Sequence, residues 1–169
     1  MDEHIIHIEW DGPYRLDQLP ALKNDDSDYG VYQIYGGHPV YGSNVLLYIG
    51  KADQQTFGVR IAQEGWQLNR DAGSIQIYVG RLAGAQTPSS DQWSHEIDLA
   101  EKLLIYSHGP AANARNLNRI PDAELQHVHI LNWGRHRDVM AEVSGARWTT
   151  KYDAIPTYHV YRWQETGEQ

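Results

Sequence analysis

Gly30-Val31-Tyr32-Gln33-Ile34-Tyr35 and Val45-Leu46-Leu47-Tyr48-Ile49-Gly50 are the two stretches that decide the fold. Both are rich in β-branched and aromatic residues, which suit a pleated, half-buried surface. Gly36-Gly37-His38-Pro39 breaks the first run, so the pair predicts a hairpin with a loose loop. On the amino-terminal side, Ile5–Trp10 reads as a strand, Asp11-Gly12-Pro13 as a turn and Asn24-Asp25-Asp26-Ser27-Asp28 as a solvated loop. On the other side, Thr56 to Leu68 reads as a helix weakened by Gly58 and Gly65, and Ser74–Leu82 as a strand alternating Ile75, Ile77 and Val79. The strongest helix covers residues 91–107, where Trp93, Ile97, Ala100 and Leu104 form one apolar stripe that Pro110 terminates. An Asn-rich stretch follows, then strands at Val128–Trp133 and Tyr158–Trp163, with Val139–Val143 unassigned. Strands in both halves with helices between them predict a mixed α/β (α+β) fold, a small central sheet flanked by helices.

The chain has 169 residues, enough for one domain with a real core, and its 41% apolar and 21% charged residues are those of a globular protein. It has no cysteine, which excludes disulfides, thiolate nucleophiles and thiolate metal sites. No apolar run is long enough for a membrane span, and Met1-Asp2-Glu3-His4 lacks the basic start of a secretory signal, so a cytoplasmic protein is expected. A net charge of −8 argues against a nucleic-acid partner. Its distribution softens that objection: residues 1–29 carry a balance of −6, residues 30–119 are neutral, and residues 120–169 carry −2.

Around the two tyrosine-bearing strands stands a further set of residues. Lys51 follows Gly50, Phe57-Gly58-Val59-Arg60-Ile61 opens a helix, Glu101 lies mid-helix, and Asn113 follows Pro110. Taken singly, each has an ordinary structural reading: sheet tyrosine, surface arginine, helix-capping asparagine. Taken in order, Gly30-Val31-Tyr32, Tyr48-Ile49-Gly50-Lys51-Ala52, the Phe-x-x-Arg-Ile helix start and Glu101-x-x-Leu104-Ile105 leading to Asn113 resemble the GIY-YIG nuclease superfamily. The resemblance covers residues 30–118 as a catalytic core inside a single domain of residues 1–169, with residues 1–29 and 119–169 as extensions packed on it.

The resemblance implies a metal-dependent endonuclease acting on DNA, with RNA the alternative polymer, and cutting as a homodimer where restriction-type members do. It implies Tyr32 as general base, which requires a cation to lower the phenol from about 10. Tyr48 would orient water or a phosphate oxygen. Lys51 offers a mobile point charge, and Arg60 a planar fork for two phosphate oxygens. Glu101 falls at the edge of the apolar stripe and would hold Mg²⁺ or Mn²⁺, with water and substrate phosphate completing an oxygen shell. Asn113 would organise the site.

One position departs from the family pattern. Glu64, four residues after Arg60, stands where members carry histidine or tyrosine, and it brings a negative charge close to the phosphate. Together with the acidic balance it favours an alternative: a GIY-YIG-fold nucleic-acid-binding or regulatory module with weak or no turnover. His127-x-His129 has a spacing compatible with zinc but no third ligand at a telling interval. Trp133, Arg135-His136-Arg137 and Trp148 read either as a nucleic-acid grip or as a tryptophan-anchored core edge.

Overall fold

The structure is a computed structural model and describes residues 3–118 and 123–148. The described strands are β1 (His4–Tyr14), β2 (Gly30–His38), β3 (Gly42–Ala52), β4 (Gln76–Ala83), β5 (Val128–Gly134) and β6 (Glu142–Ser144). They form one sheet in the order β3-β2-β4-β1-β5-β6, and every neighbouring pair is antiparallel except β1 with β5. With helices α1 (Phe57–Gln63) and α2 (Ser90–His108), the fold is mixed α/β, as the sequence predicts.

Strand alternation gives the sheet two apolar faces. Ile6, Ile8 and Trp10 of β1, Val31 and Tyr35 of β2 and Ile49 of β3 pack with Ile97, Ala100, Leu103 and Leu104 of α2. The opposite face of β2, β3 and β4 packs Tyr32, Ile34, Ile77 and Val79 with Phe57 and Ile61 of α1 and with Leu19 of a 3-10 turn at Leu16–Ala21. Trp10 donates its indole N–H to the buried Asn132 Oδ1 at 2.8 Å, so that ring's polar atom is satisfied within the first face.

Local readings differ from the structure in three places. Strand β1 runs on through Asp11-Gly12-Pro13 to Tyr14, because a shift in register lets residues 11–14 keep pairing with β4. The Asp11 carboxylate stabilises that irregularity by accepting from the Gly12 N–H and the Tyr14 hydroxyl. The first helix stops at Gln63, since Gly65 adopts φ +77° and passes the chain into a separate 3-10 turn at Trp66–Leu68. Asp28 is not solvated: it is buried and pairs with Arg81 at 2.6 Å. Val139–Val143 contributes the start of the short edge strand β6. The strand expected at Tyr158–Trp163 lies outside the described residues. No helix among the described residues is long and apolar enough to cross a membrane.

Asp28 carries a first prediction. Replacing it with asparagine removes the charge that Arg81 requires and should cost about 3 kcal/mol, the scale for breaking a buried pair. Urea unfolding of Asp28→Asn reads this directly, and a midpoint equal to the wild type's would refute it.

Candidate functional site

Strand β3 is an edge strand, and residues 111–113 cover that edge. Ala111 and Ala112 donate their backbone N–H groups to the carbonyls of Leu46 and Leu47. Asn113 then imitates a strand partner with its side chain: Oδ1 accepts from the Ile49 N–H at 3.0 Å, and Nδ2 donates to the Ile49 carbonyl at 2.9 Å. Asn113 therefore fixes the backbone between Tyr48 and Gly50. Asn113→Leu leaves two backbone groups unpaired and should cost about 2 kcal/mol or more. Hydrogen exchange at Ile49 should accelerate in that variant, and unchanged protection there would show that the brace is dispensable.

On the α1 side of β3, Tyr32 and Tyr48 lie with ring centroids 6.2 Å apart, and Phe57 meets Tyr32 edge-on at 6.4 Å. Gly50 makes this approach possible, because a Cβ there would stand 2.5 Å from the Tyr32 hydroxyl and 2.6 Å from the Tyr48 ring. Tyr32 is fully buried and donates its hydroxyl to Glu64 Oε1 at 2.5 Å. Glu64 Oε2 accepts from the Trp66 indole at 2.8 Å, and Arg60 Nη2 stands 3.5 Å from Oε1.

This arrangement moves the Tyr32 phenol away from the direction expected of a base. Burial pushes its pKa well above the ordinary value, Glu64 adds to the rise through charge and hydrogen bond, and Arg60 only partly opposes them. Tyr48 is raised as well, first by burial and then by Glu64 and Glu101.

Lys51 points to the α2 side. Its ammonium lies 2.6 Å from Asp98, 3.7 Å from Asp53 and 4.0 Å from Glu101. Burial alone would lower its pKa, but Asp98, Glu101 and Asp53 outweigh burial and hold it above the ordinary lysine value. Asp98 also pairs with Lys102 at 2.7 Å. Glu101 is the less satisfied carboxylate. Its side chain is 17% exposed, and burial pushes its pKa up to about 7, with Asp98 and Asp53 adding to the rise and Lys51 opposing it.

The two halves meet in an open cleft of about 500 Å³ lined by Lys51, Asp53, Gln54, Arg60, Gln63 and Glu101. Lys51, Arg60 and Glu101 thus share one cleft, Tyr32 and Tyr48 stand behind it through Glu64 and Arg60, and Asn113 braces the strand between. Sequence reasoning did not find three contributors: the Glu64 bond to Tyr32, Trp66, and Asp98. The signal for Asp98 was present, since a carboxylate three residues before Glu101 shares its helix face.

Other sequence candidates are taken up by the fold. Arg135 donates to the Gly12 carbonyl at 2.7 Å, and Arg137 stacks 3.6 Å over the Tyr35 ring while bonding Gln76. The basic run is therefore structural, although Trp133 is exposed beside His7; the Trp148 side chain lies outside the described ones. His129 pairs with Glu142 at 2.8 Å. Among the described residues, no group of three or more histidine, aspartate or glutamate side chains is placed to hold a metal. A cation at this site would rely on Glu101, a half-buried oxygen donor facing the cleft whose ammonium partner is at the limit of an ion pair. That donor chemistry fits a hard divalent ion. Comparison with protein-family models, curated proteins and solved structures gives no match to this chain.

Proposed function

We propose that the protein is a metal-dependent endonuclease that hydrolyses phosphodiester bonds in DNA. The observation that carries this reading is the convergence of Lys51, Arg60 and Glu101 on one open cleft, with Tyr32 and Tyr48 behind it. Glu101 would hold Mg²⁺ or Mn²⁺, which would polarise a phosphoryl oxygen and offset the negative charge on the phosphate oxygens. Arg60, with 44% of its side chain exposed, presents its guanidinium to two phosphate oxygens. Lys51 supplies a second positive charge at the cleft wall, positioned by Asp98. Tyr48 orients the attacking water, and Tyr32, as phenolate, receives its proton. While Glu64 is in contact, Tyr32 keeps its own proton as a hydrogen-bond donor, so it acts as base only after that contact opens and the phenolic proton has passed to solvent.

The Glu64 contact also favours a second reading, a nucleic-acid-binding module of the same fold without turnover. Incubation with supercoiled, linear, single-stranded and branched DNA, with and without Mg²⁺ or Mn²⁺, separates the two. Divalent-dependent cleavage of any substrate supports the nuclease. Retention of DNA with no cleavage in any condition supports the module.

Arg60→Lys keeps the charge and loses the planar fork. Single-turnover cleavage should fall about tenfold or more with unchanged thermal stability, in line with a lost bidentate contact worth over a kilocalorie per mole. Near-normal turnover in that variant would place the phosphate clamp elsewhere.

A further inference from the structure

Glu64 occupies a position that helix stability does not explain. It caps the carboxyl end of α1, where a negative charge meets the negative end of the helix dipole. Three donors outside the helix backbone hold it there instead: the Tyr32 hydroxyl, the Trp66 indole and the Arg60 guanidinium. Two of these, Tyr32 and Arg60, are groups the reaction requires, Arg60 at the phosphate and Tyr32 at the attacking water. A carboxylate and a phosphodiester present the same chemistry to Arg60, a pair of anionic oxygens able to accept from N–H donors.

We propose that Glu64 is a resident anion in the phosphate seat of this site, and that a substrate phosphodiester takes its place on Arg60 before reaction, leaving the Tyr32 hydroxyl to the attacking water. The inference rests on the phosphodiesterase reading and names how that site is held closed. With Glu64 seated, Tyr32 has no exposed surface and the guanidinium of Arg60 is partly neutralised. With Glu64 withdrawn, Arg60 is released, and two causes of the upward shift of Tyr32, the charge and the hydrogen bond of Glu64, are removed. The carboxylate can swing out by rotation about its own side-chain bonds, and Gly65, left-handed and without a side chain, joins Trp66 to it as a separate turn while α1 stays packed through Phe57 and Ile61. Seating and catalysis are thereby exclusive: the contact that shields Tyr32 is the one the substrate breaks.

The test uses the full chain in metal-free buffer and a deoxydinucleotide carrying one phosphodiester. Binding is followed by the Trp66 indole N–H resonance, assigned with Trp66→Phe. Glu64→Gln removes the competing charge and keeps an acceptor for Tyr32, and Glu64→Ala removes the side chain, so that two variants report if one folds poorly. Both should bind the dinucleotide about fivefold more tightly than the wild type, the scale of one partly exposed ion pair. The gain should vanish in Glu64→Gln combined with Arg60→Gln. Equal affinity of wild type and both single variants overturns the inference, as does a gain that survives loss of Arg60. Should DNA remain uncut by every protein while the Arg60-dependent gain appears, the nuclease reading fails and the resident anion stands. Cleavage by the wild type without any gain gives the reverse.

Discussion

Glu101→Gln should abolish divalent-ion binding and lower DNA cleavage about a thousandfold or more, the scale of several kilocalories per mole of lost charge stabilisation. The same variant should fold and be more stable than the wild type in metal-free buffer at pH 8. Burial holds the Glu101 carboxyl at about 7 against an ordinary 4.5, so the folded protein keeps this proton more tightly than the unfolded chain. The Glu101 contribution to stability is then greatest below pH 4.5, declines as pH rises to 7, and stays lower above it. The full cost of the buried charge is roughly 3 kcal/mol. Glutamine is neutral throughout, so its stability should be flat over the part of this window that Glu101 governs. Its melting temperature at pH 8 should exceed the wild type's by about 5 °C, which needs only part of that energy. Added Mn²⁺ reverses the order. A hundredfold excess over the dissociation constant raises wild-type stability by about 2.7 kcal/mol and leaves the variant unchanged. Thermal unfolding at pH 5 and pH 8, with and without Mn²⁺, reads all of this. Mn²⁺ stabilisation of Glu101→Gln equal to that of the wild type would remove Glu101 from the metal site.

Tyr32→Phe should lower single-turnover cleavage about a hundredfold or more, the ordinary contribution of a positioned proton acceptor. The phenol is raised above its usual value by burial and Glu64, so cleavage by the wild type should climb with pH through the neutral range and into the alkaline range without levelling early. Phenylalanine removes the ionising group, and the rising limb should disappear with it. Tyr48→Phe should be milder and keep the limb, because an orienting hydroxyl transfers no proton in the reaction. Both rings remain, so the packing with Phe57 and Trp66 survives in each variant. Rates measured from pH 6 to pH 10 for the three proteins decide the assignment. A Tyr32→Phe enzyme with the wild-type profile would assign the proton transfer to another group.

The parts of the molecule legible in the sequence are those set by local pattern. The β2–β3 hairpin follows from two β-rich runs bracketed by glycine, and α2 from a stripe at helical spacing, and both form where their residues predict. The extension of β1 was hidden because Gly12 and Pro13 carry turn chemistry. Only pairing with β4, more than sixty residues later, turns them into an irregularity within a strand. Lys51, Arg60 and Glu101 could be placed in order along the chain, but their shared cleft depends on α1 and α2 flanking the same end of β3. Glu64 was visible as a charge in an unexpected place. Its bond to Tyr32 was not, since it joins residues 32 apart and depends on α1 stopping before Gly65. Arg137 shows the opposite failure, where a basic, aromatic run suggestive of a binding surface is spent on the ring of Tyr35.

The proposed activity is phosphodiester cleavage in this cleft with a divalent ion held at Glu101. Its most direct test is nicking of supercoiled plasmid by wild type and Glu101→Gln at equal concentration, in Mn²⁺ and in chelator. The account predicts nicked or linear product from the wild type in Mn²⁺ alone, with none from the variant. Product from the wild type in chelator, or equal product from Glu101→Gln in Mn²⁺, would contradict it.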